Sequence, residues 1–199
     1  MKSNLVKEGY NQAAERYLAA RDQFRNLPYL EKVNIVLAPN SLILDLGCGA
    51  GKPVDEFFVK RGHRVIGIDI SEKQIELARK HVPAGKFLVG DMTSLARGAY
   101  TVDAVVSFYA ISHIPRTLHR ELFETIHSWL RKGGYLLVTM GSTEWEGTEQ
   151  DFHGVKMYWS HFGAETNREM IKRCGFEIML DEIDASGGEK HQVIMARKR

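Results

Sequence analysis

The chain has 199 residues, of which 44% are apolar and 26% charged. That composition excludes a disordered or fibrous protein, and the length fits one domain with a modest addition. Basic and acidic residues number 27 and 25, a net charge of +2, without the clustered positive excess typical of a nucleic-acid-gripping domain.

Residues 3–38 read as two helices divided near Asn26-Leu27-Pro28. Tyr10, Ala14, Tyr17, Arg21 and Phe24 follow at steps of four and three, which places them on one helical face. From Leu42 the pattern becomes alternating strand and helix. Leu42–Leu46 is a short apolar run ending at glycines. Pro53 suits a first helical position, and Val54, Phe57 and Phe58 give that helix an apolar face before Gly62 ends it. Val65–Asp69 is a second strand. Ser71-Glu72-Lys73-Gln74 has the form of a capping box, and its helix carries Ile75, Ala78 and Val82. Lys86–Gly90 and Val102–Ser107 are the third and fourth strands. Leu118, Leu122, Ile126 and Trp129 or Leu130 mark a long helix before Gly133-Gly134, and Tyr135–Met140 is the fifth strand.

Residues 141–162 read as an irregular stretch rich in aromatics and acids. Thr166-Asn167-Arg168-Glu169 again has capping-box form, and its helix runs to Gly175. Phe176–Leu180 and Gln192–Ala196 are two last strands. Repeated strand–helix units predict an α/β, doubly wound, Rossmann-like fold with a mainly parallel sheet. Residues 1–40 are expected to form a helical cover and 41–199 the main domain. Ligands of such sheets sit beyond the carboxyl ends of the strands, at the switch in strand order.

Two cysteines, Cys48 and Cys174, lie too far apart in sequence for a metal-ligand pair or a disulfide framework. No apolar run reaches membrane-spanning length, and the polar first 12 residues lack a signal-peptide core. The expected setting is cytoplasmic. His153 and His161 have no ligand cluster of recognised spacing around them, so no metal is expected.

The informative segment is Leu44-Asp45-Leu46-Gly47-Cys48-Gly49-Ala50-Gly51, between a strand and a helix. Asp69 ends the next strand, 18 positions beyond Gly51, and is placed to accept from both hydroxyls of a ribose. A phosphate-cradling loop would need glycine at 46 and Ser or Thr at 53, where the chain has Leu46 and Pro53. A dinucleotide fingerprint would need glycine at 52, where the chain has Lys52. Asp45 would repel a pyrophosphate but welcome an ammonium group. S-adenosylmethionine carries an ammonium group, an adenosine and no phosphate.

The chain resembles the class I S-adenosylmethionine-dependent methyltransferases of the small-molecule type. The glycine segment is similar to that family's first motif, Gly67-Ile68-Asp69-Ile70-Ser71 to its second and Gly90-Asp91-Met92 to its third. Phe108 to His113 resembles the segment after strand four, and Trp129 to Tyr135 the approach to strand five. The resemblance implies seven strands, the last antiparallel, with S-adenosylmethionine as cofactor. It places Gly47, Cys48 and Gly49 beside the methionine part, with Asp45 in contact with the ligand. Asp69 would hold the ribose, with Ile70 against the adenine. Asp91 would accept from the adenine amino group, beside Met92. Tyr109 would lie near the sulfonium. Tyr10, Tyr17 and Arg21 resemble an N-terminal pattern that covers the cofactor.

Candidate bases are His113, His153 and His191. The aromatic stretch after strand five offers Trp145, Tyr158, Trp159 and His161 as an acceptor-binding wall. The expected partner is a small-molecule methyl acceptor. Signatures of base methylation are absent, since Ser107-Phe108-Tyr109-Ala110 stands where a Pro-Pro-aromatic segment would be. A nicotinamide-dependent oxidoreductase and a non-catalytic cofactor-binding subunit are the rival readings.

Overall fold

The computed structural model describes residues 2–20, 26–186 and 188–199. Two helices open the chain, α1 (Lys2–Ala20) and α2 (Leu27–Val36). Strands β1 (Leu42–Leu46), β2 (Arg64–Asp69) and β3 (Lys86–Val89) alternate with α3 (Val54–Lys60) and α4 (Glu72–His81). Next come β4 (Val102–Ser107), α5 (His119–Trp129) and β5 (Leu130–Gly141). A hairpin, β6 (Trp145–Phe152) and β7 (Val155–His161), precedes α6 (Ala164–Arg173), β8 (Phe176–Asp184) and β9 (His191–Lys198).

Seven strands form one sheet in the order β3-β2-β1-β4-β5-β9-β8, and β6 pairs with β7 alone. The first five strands of the sheet run parallel, and β9 is antiparallel to both β5 and β8. The order reverses between β1 and β4, so the crevice beyond their carboxyl ends is the switch point. The Ser107 hydroxyl donates to the Leu46 carbonyl at 2.7 Å and ties those two strand ends together.

Both faces of the sheet are covered, as a parallel sheet requires. Leu44, Leu46, Val105, Leu136 and Val138 point to α5 and α6, where Phe123, Ile126, Trp129 and Ile171 meet them. The alternate residues Ile43, Ala104, Val106 and Leu137 point the other way, to Leu30 and Val33 of α2 and Phe57 and Phe58 of α3. This two-residue alternation along each strand divides one core into two layers. Helix α2 therefore belongs to the packing of the sheet, while α1 packs on β7 and α4.

Three local expectations need correction. Residues 141–162 are not irregular, because 145–161 form a twisted hairpin with a register shift between Glu149 and Phe152. Its alternation is masked in sequence because β6 is largely exposed and polar. Thr166 caps nothing: α6 starts two residues earlier behind Gly163, and Asn167 turns inward, donating to the Gly141 carbonyl at 2.9 Å. Pro53 occupies the capping position of α3, not its first helical position.

Candidate functional site

A cavity of about 430 Å³ opens at the switch point. Its floor is the turn after β1. Gly47 has φ +76°, and a Cβ there would lie 2.2 Å from the Ala110 Cβ, so only glycine fits. The turn satisfies its own amides. Gly47 and Cys48 N–H donate to the Ile68 carbonyl at 2.7 and 3.1 Å, and Gly51 N–H to the Cys48 carbonyl at 3.1 Å. Gly49 N–H donates to Asp69 Oδ2 at 2.9 Å. Four amides that a phosphate cradle would aim at its ligand are thus already used, which argues against phosphate binding here.

Asp69 stands at the end of β2 and lines the cavity. Ser71 N–H donates to its Oδ1 at 2.9 Å. Burial pushes its pKa up to about 6, although these backbone donors oppose the shift. Each carboxylate oxygen still has a lone pair for a further donor. Asp91 follows β3, and its Oδ1 accepts from Thr93 N–H at 2.9 Å and the Thr93 hydroxyl at 2.7 Å. The Ser3 hydroxyl donates to Asp91 Oδ2 at 3.0 Å. Ile70 and Met92 complete this end of the cavity.

The opposite wall is built on the segment after β4 and on α1. His113 is buried, and its Nδ1 lies 2.7 Å from the Tyr158 carbonyl. A carbonyl only accepts, so Nδ1 carries the proton and Nε2 is an acceptor. The Tyr10 hydroxyl donates to that Nε2 at 2.8 Å. Burial pushes the His113 pKa down to about 4, so the ring is neutral at pH 7. Tyr10 in turn packs edge-on against Tyr17 and Phe152, with ring centroids 5.4 and 5.9 Å apart. Tyr109 has φ +60°. Its N–H donates to Thr139 Oγ1 at 2.5 Å and its hydroxyl to Asn26 Oδ1 at 2.9 Å.

The cavity thus gathers Tyr10, Tyr17, Gly47, Gly49, Asp69 and Ile70 with Asp91, Met92, Tyr109 and His113. Asp45 and Cys48 lie buried beneath the turn, off the cavity wall. Burial drives the Cys48 thiol well above its usual pKa, so it is not a nucleophile. Arg21 lies outside the described residues. His153 and His191 are not on the wall either. His153 sits in the hairpin turn against Tyr17, and His191 packs on Tyr109 with centroids 4.8 Å apart. Of the proposed acceptor wall, Trp159 stacks on His113 at 4.1 Å, behind the cavity. The Tyr158 hydroxyl donates to Glu146 at 2.7 Å, His161 Nδ1 donates to the Thr143 carbonyl at 2.6 Å, and Trp145 is exposed.

Ser3, Val6 and Gln74 are among the lining residues that escape the sequence reading. Ser3 and Val6 extend the Tyr10 stripe backwards at helical steps, and following that stripe to the start of α1 would have found them. Gln74 was concealed by its capping-box assignment.

Residues 43–134 match a family profile described as "methyltransferase domain". That stretch is similar to methyltransferase domains, in keeping with the resemblance of its motifs to the class I S-adenosylmethionine-dependent methyltransferases. Among curated relatives, phosphoethanolamine N-methyltransferase 1 of Zea mays is 32% identical over 77% of the chain and 31% of that protein. An uncharacterized methyltransferase of Synechocystis is 27% identical over 90% of the chain and 85% of the relative. The chain spans less than half the length of the sterol and plant phosphoethanolamine methyltransferases it matches. The fold is shared with the Burkholderia thailandensis 1,6-didemethyltoxoflavin-N1-methyltransferase, crystallised with 1,6-didemethyltoxoflavin and S-adenosylhomocysteine. That match has a TM-score of 0.74 and 18% identity, over 99% of this chain and 86% of that one.

Proposed function

We propose that this chain transfers a methyl group from S-adenosylmethionine to a small-molecule acceptor held between the cofactor and the Tyr10–His113 pair. One observation carries the reading. A single cavity joins the glycine turn, Asp69 and Asp91 to a neutral hydroxyl–imidazole pair on the opposite wall. The residues present fit the cofactor. The amides of the glycine turn are not aimed at phosphates, and an acid lies at each of two successive strand ends, Asp69 after β2 and Asp91 after β3.

Bound there, the cofactor supplies an electrophilic methyl group. The chain supplies position. Asp69 would accept from the ribose and Asp91 from the adenine edge, with Ile70 and Met92 lining the adenine end of the cavity. A His113 with a pKa near 4 is a weak store for a proton. Its effect is to accept the Tyr10 hydrogen and hold the phenol in one orientation on the cavity wall, a polar surface against which an acceptor would be positioned. Holding the acceptor in line with the methyl group would account for much of the acceleration expected of a displacement.

The cofactor assignment is tested by mass spectrometry of small molecules retained on the purified chain, with thermal shifts by S-adenosylhomocysteine and NAD in parallel. Retention of an S-adenosyl ligand and stabilisation by S-adenosylhomocysteine alone are expected. Stabilisation by NAD alone would overturn the assignment. Turnover of labelled S-adenosylmethionine over a panel of amines, phenols and thiols then identifies the acceptor class. No turnover on any acceptor would favour a non-catalytic subunit.

A further inference from the structure

Gln74 is where the capping-box expectation and the structure diverge. In such a box the side chain at the third helical position reaches back to the capping residue's N–H. Half of the box is present: Gln74 N–H donates to Ser71 Oγ at 3.1 Å. The other half is not, because Ser71 N–H is already given to Asp69 Oδ1 at 2.9 Å. Both polar atoms of the Gln74 side chain are left without a hydrogen-bond partner among the described residues. Yet the residue is only 1% exposed and lines the cavity. A buried amide with neither donor nor acceptor satisfied costs stability, and native proteins rarely keep one without a use.

Its position indicates the use. A Cβ built on Gly49 would lie 3.7 Å from Gln74 Oε1, and Gly49 N–H is bonded to Asp69 Oδ2. Gln74 and Asp69 therefore flank the same glycine at the same end of the cavity. A vicinal diol presents two hydroxyl hydrogens and several oxygen lone pairs. A carboxylate satisfies the hydrogens only, since it cannot donate. A neutral amide beside it supplies the missing donor without adding a charge. A second carboxylate would repel Asp69, and a lysine would add positive charge to a site meant for a cation.

We propose that Gln74 is a second ribose ligand, its Nε2–H donating to a hydroxyl oxygen of the diol whose hydrogens Asp69 accepts. The proposal rests on the methyltransferase reading above. It gives Gln74 opposite effects in the two states of the protein, which a structural role would not.

The test is Gln74→Met, close in shape and without donor or acceptor. The ligand-free variant should melt at or above the wild-type temperature, because an unsatisfied amide is replaced by apolar atoms. Its affinity for S-adenosylhomocysteine, by titration calorimetry, should fall about tenfold, equivalent to ~1.4 kcal/mol. The 2′,3′-dideoxy analogue of S-adenosylhomocysteine should bind wild type and variant equally, since it has no hydroxyl for Gln74 to meet. Gln74→Glu should also bind S-adenosylhomocysteine more weakly, as it replaces the donor with a second acid. Wild-type affinity in Gln74→Met overturns the proposal, as does a loss that persists on the dideoxy analogue. A variant that melts well below wild type assigns Gln74 to the fold instead. Failure of the wild-type chain itself to bind S-adenosylhomocysteine is a different result, which removes the methyltransferase reading and this inference with it.

Discussion

Asp69 ties the proposed cofactor site to a titration that can be followed directly. Its pKa in the free protein is raised to about 6 by burial. The ionised form is the one that accepts from two ribose hydroxyls, so ligand donors lower the pKa in the complex. Affinity then depends on the ionised fraction of free protein. At pH 7 that fraction is roughly ten in eleven, and at pH 5 roughly one in eleven. S-adenosylhomocysteine should therefore bind about tenfold more weakly at pH 5, a difference of ~1.4 kcal/mol. The ligand's own amino and carboxyl groups titrate outside this window. His113 stays neutral across most of it, with a pKa of about 4. Calorimetry in two buffers of different ionisation enthalpy would show release of close to one proton per ligand at pH 5 and almost none at pH 7.5. Asp69→Asn should bind weakly with no pH dependence over this range. Equal wild-type affinity at pH 7.5 and 5, without proton release, would refute the role given to the carboxylate.

Three further outcomes are expected. Tyr10→Phe keeps the ring contacts with Tyr17 and Phe152 but removes the donor to His113 Nε2. Turnover should fall roughly tenfold or more while S-adenosylhomocysteine affinity stays close to wild type. Equal losses in both would make Tyr10 a cofactor ligand instead. Gly47→Ala must adopt φ +76° with its Cβ against Ala110, and should cost roughly 2–4 kcal/mol in urea melts. His113 and His119 both have pKa values near 4 when folded against 6.5 when unfolded. The unfolded chain binds protons first on acidification, so the stability each confers is complete above pH 6.5 and lost as pH falls toward 4, with roughly 2 kcal/mol gone at pH 5. Asp69 acts with the opposite sign, its contribution being present below pH 3.8 and lost as pH rises through about 6. The His119→Gln variant isolates one histidine. Its loss of stability between pH 7 and 5 should be smaller than wild type's by about 2 kcal/mol, and identical losses would contradict the assignment.

The sheet was legible in the sequence because its strands are buried on both faces and read as short, mainly apolar runs between helical segments. Leu42–Leu46 and Val102–Ser107 show this, with observed bounds matching those expected. The grouping of Gly47, Asp69 and Asp91 around one cavity was legible for a related reason. Gly47, Asp69 and Asp91 sit at strand ends, where chain position alone fixes place. The hairpin was not legible, because β6 is mostly exposed and has no apolar face to alternate. Its aromatic residues suggested a wall facing the acceptor. Instead Trp159 backs His113 and Tyr158 contributes its carbonyl, contacts that depend on strand register and not on residue type. Gln74 was misread for another reason: two groups competed for Ser71 N–H, and local spacing does not reveal that Asp69 takes it.

The bond from His113 Nδ1 to the Tyr158 carbonyl has one more consequence. It fixes the tautomer through main chain, so replacing the side chain at 158 leaves the imidazole protonated on the same nitrogen. Deleting one residue from the hairpin is different, because a one-place slip along a strand exchanges outward carbonyls for outward amides. An amide facing Nδ1 would force the proton to Nε2 and turn the ring's cavity-facing nitrogen from acceptor into donor. The chemistry offered to the acceptor is thus buffered against point mutation in the hairpin but exposed to a change in its length, so variation among related chains at this element should be read first as a count of residues and only then as a change of residue type.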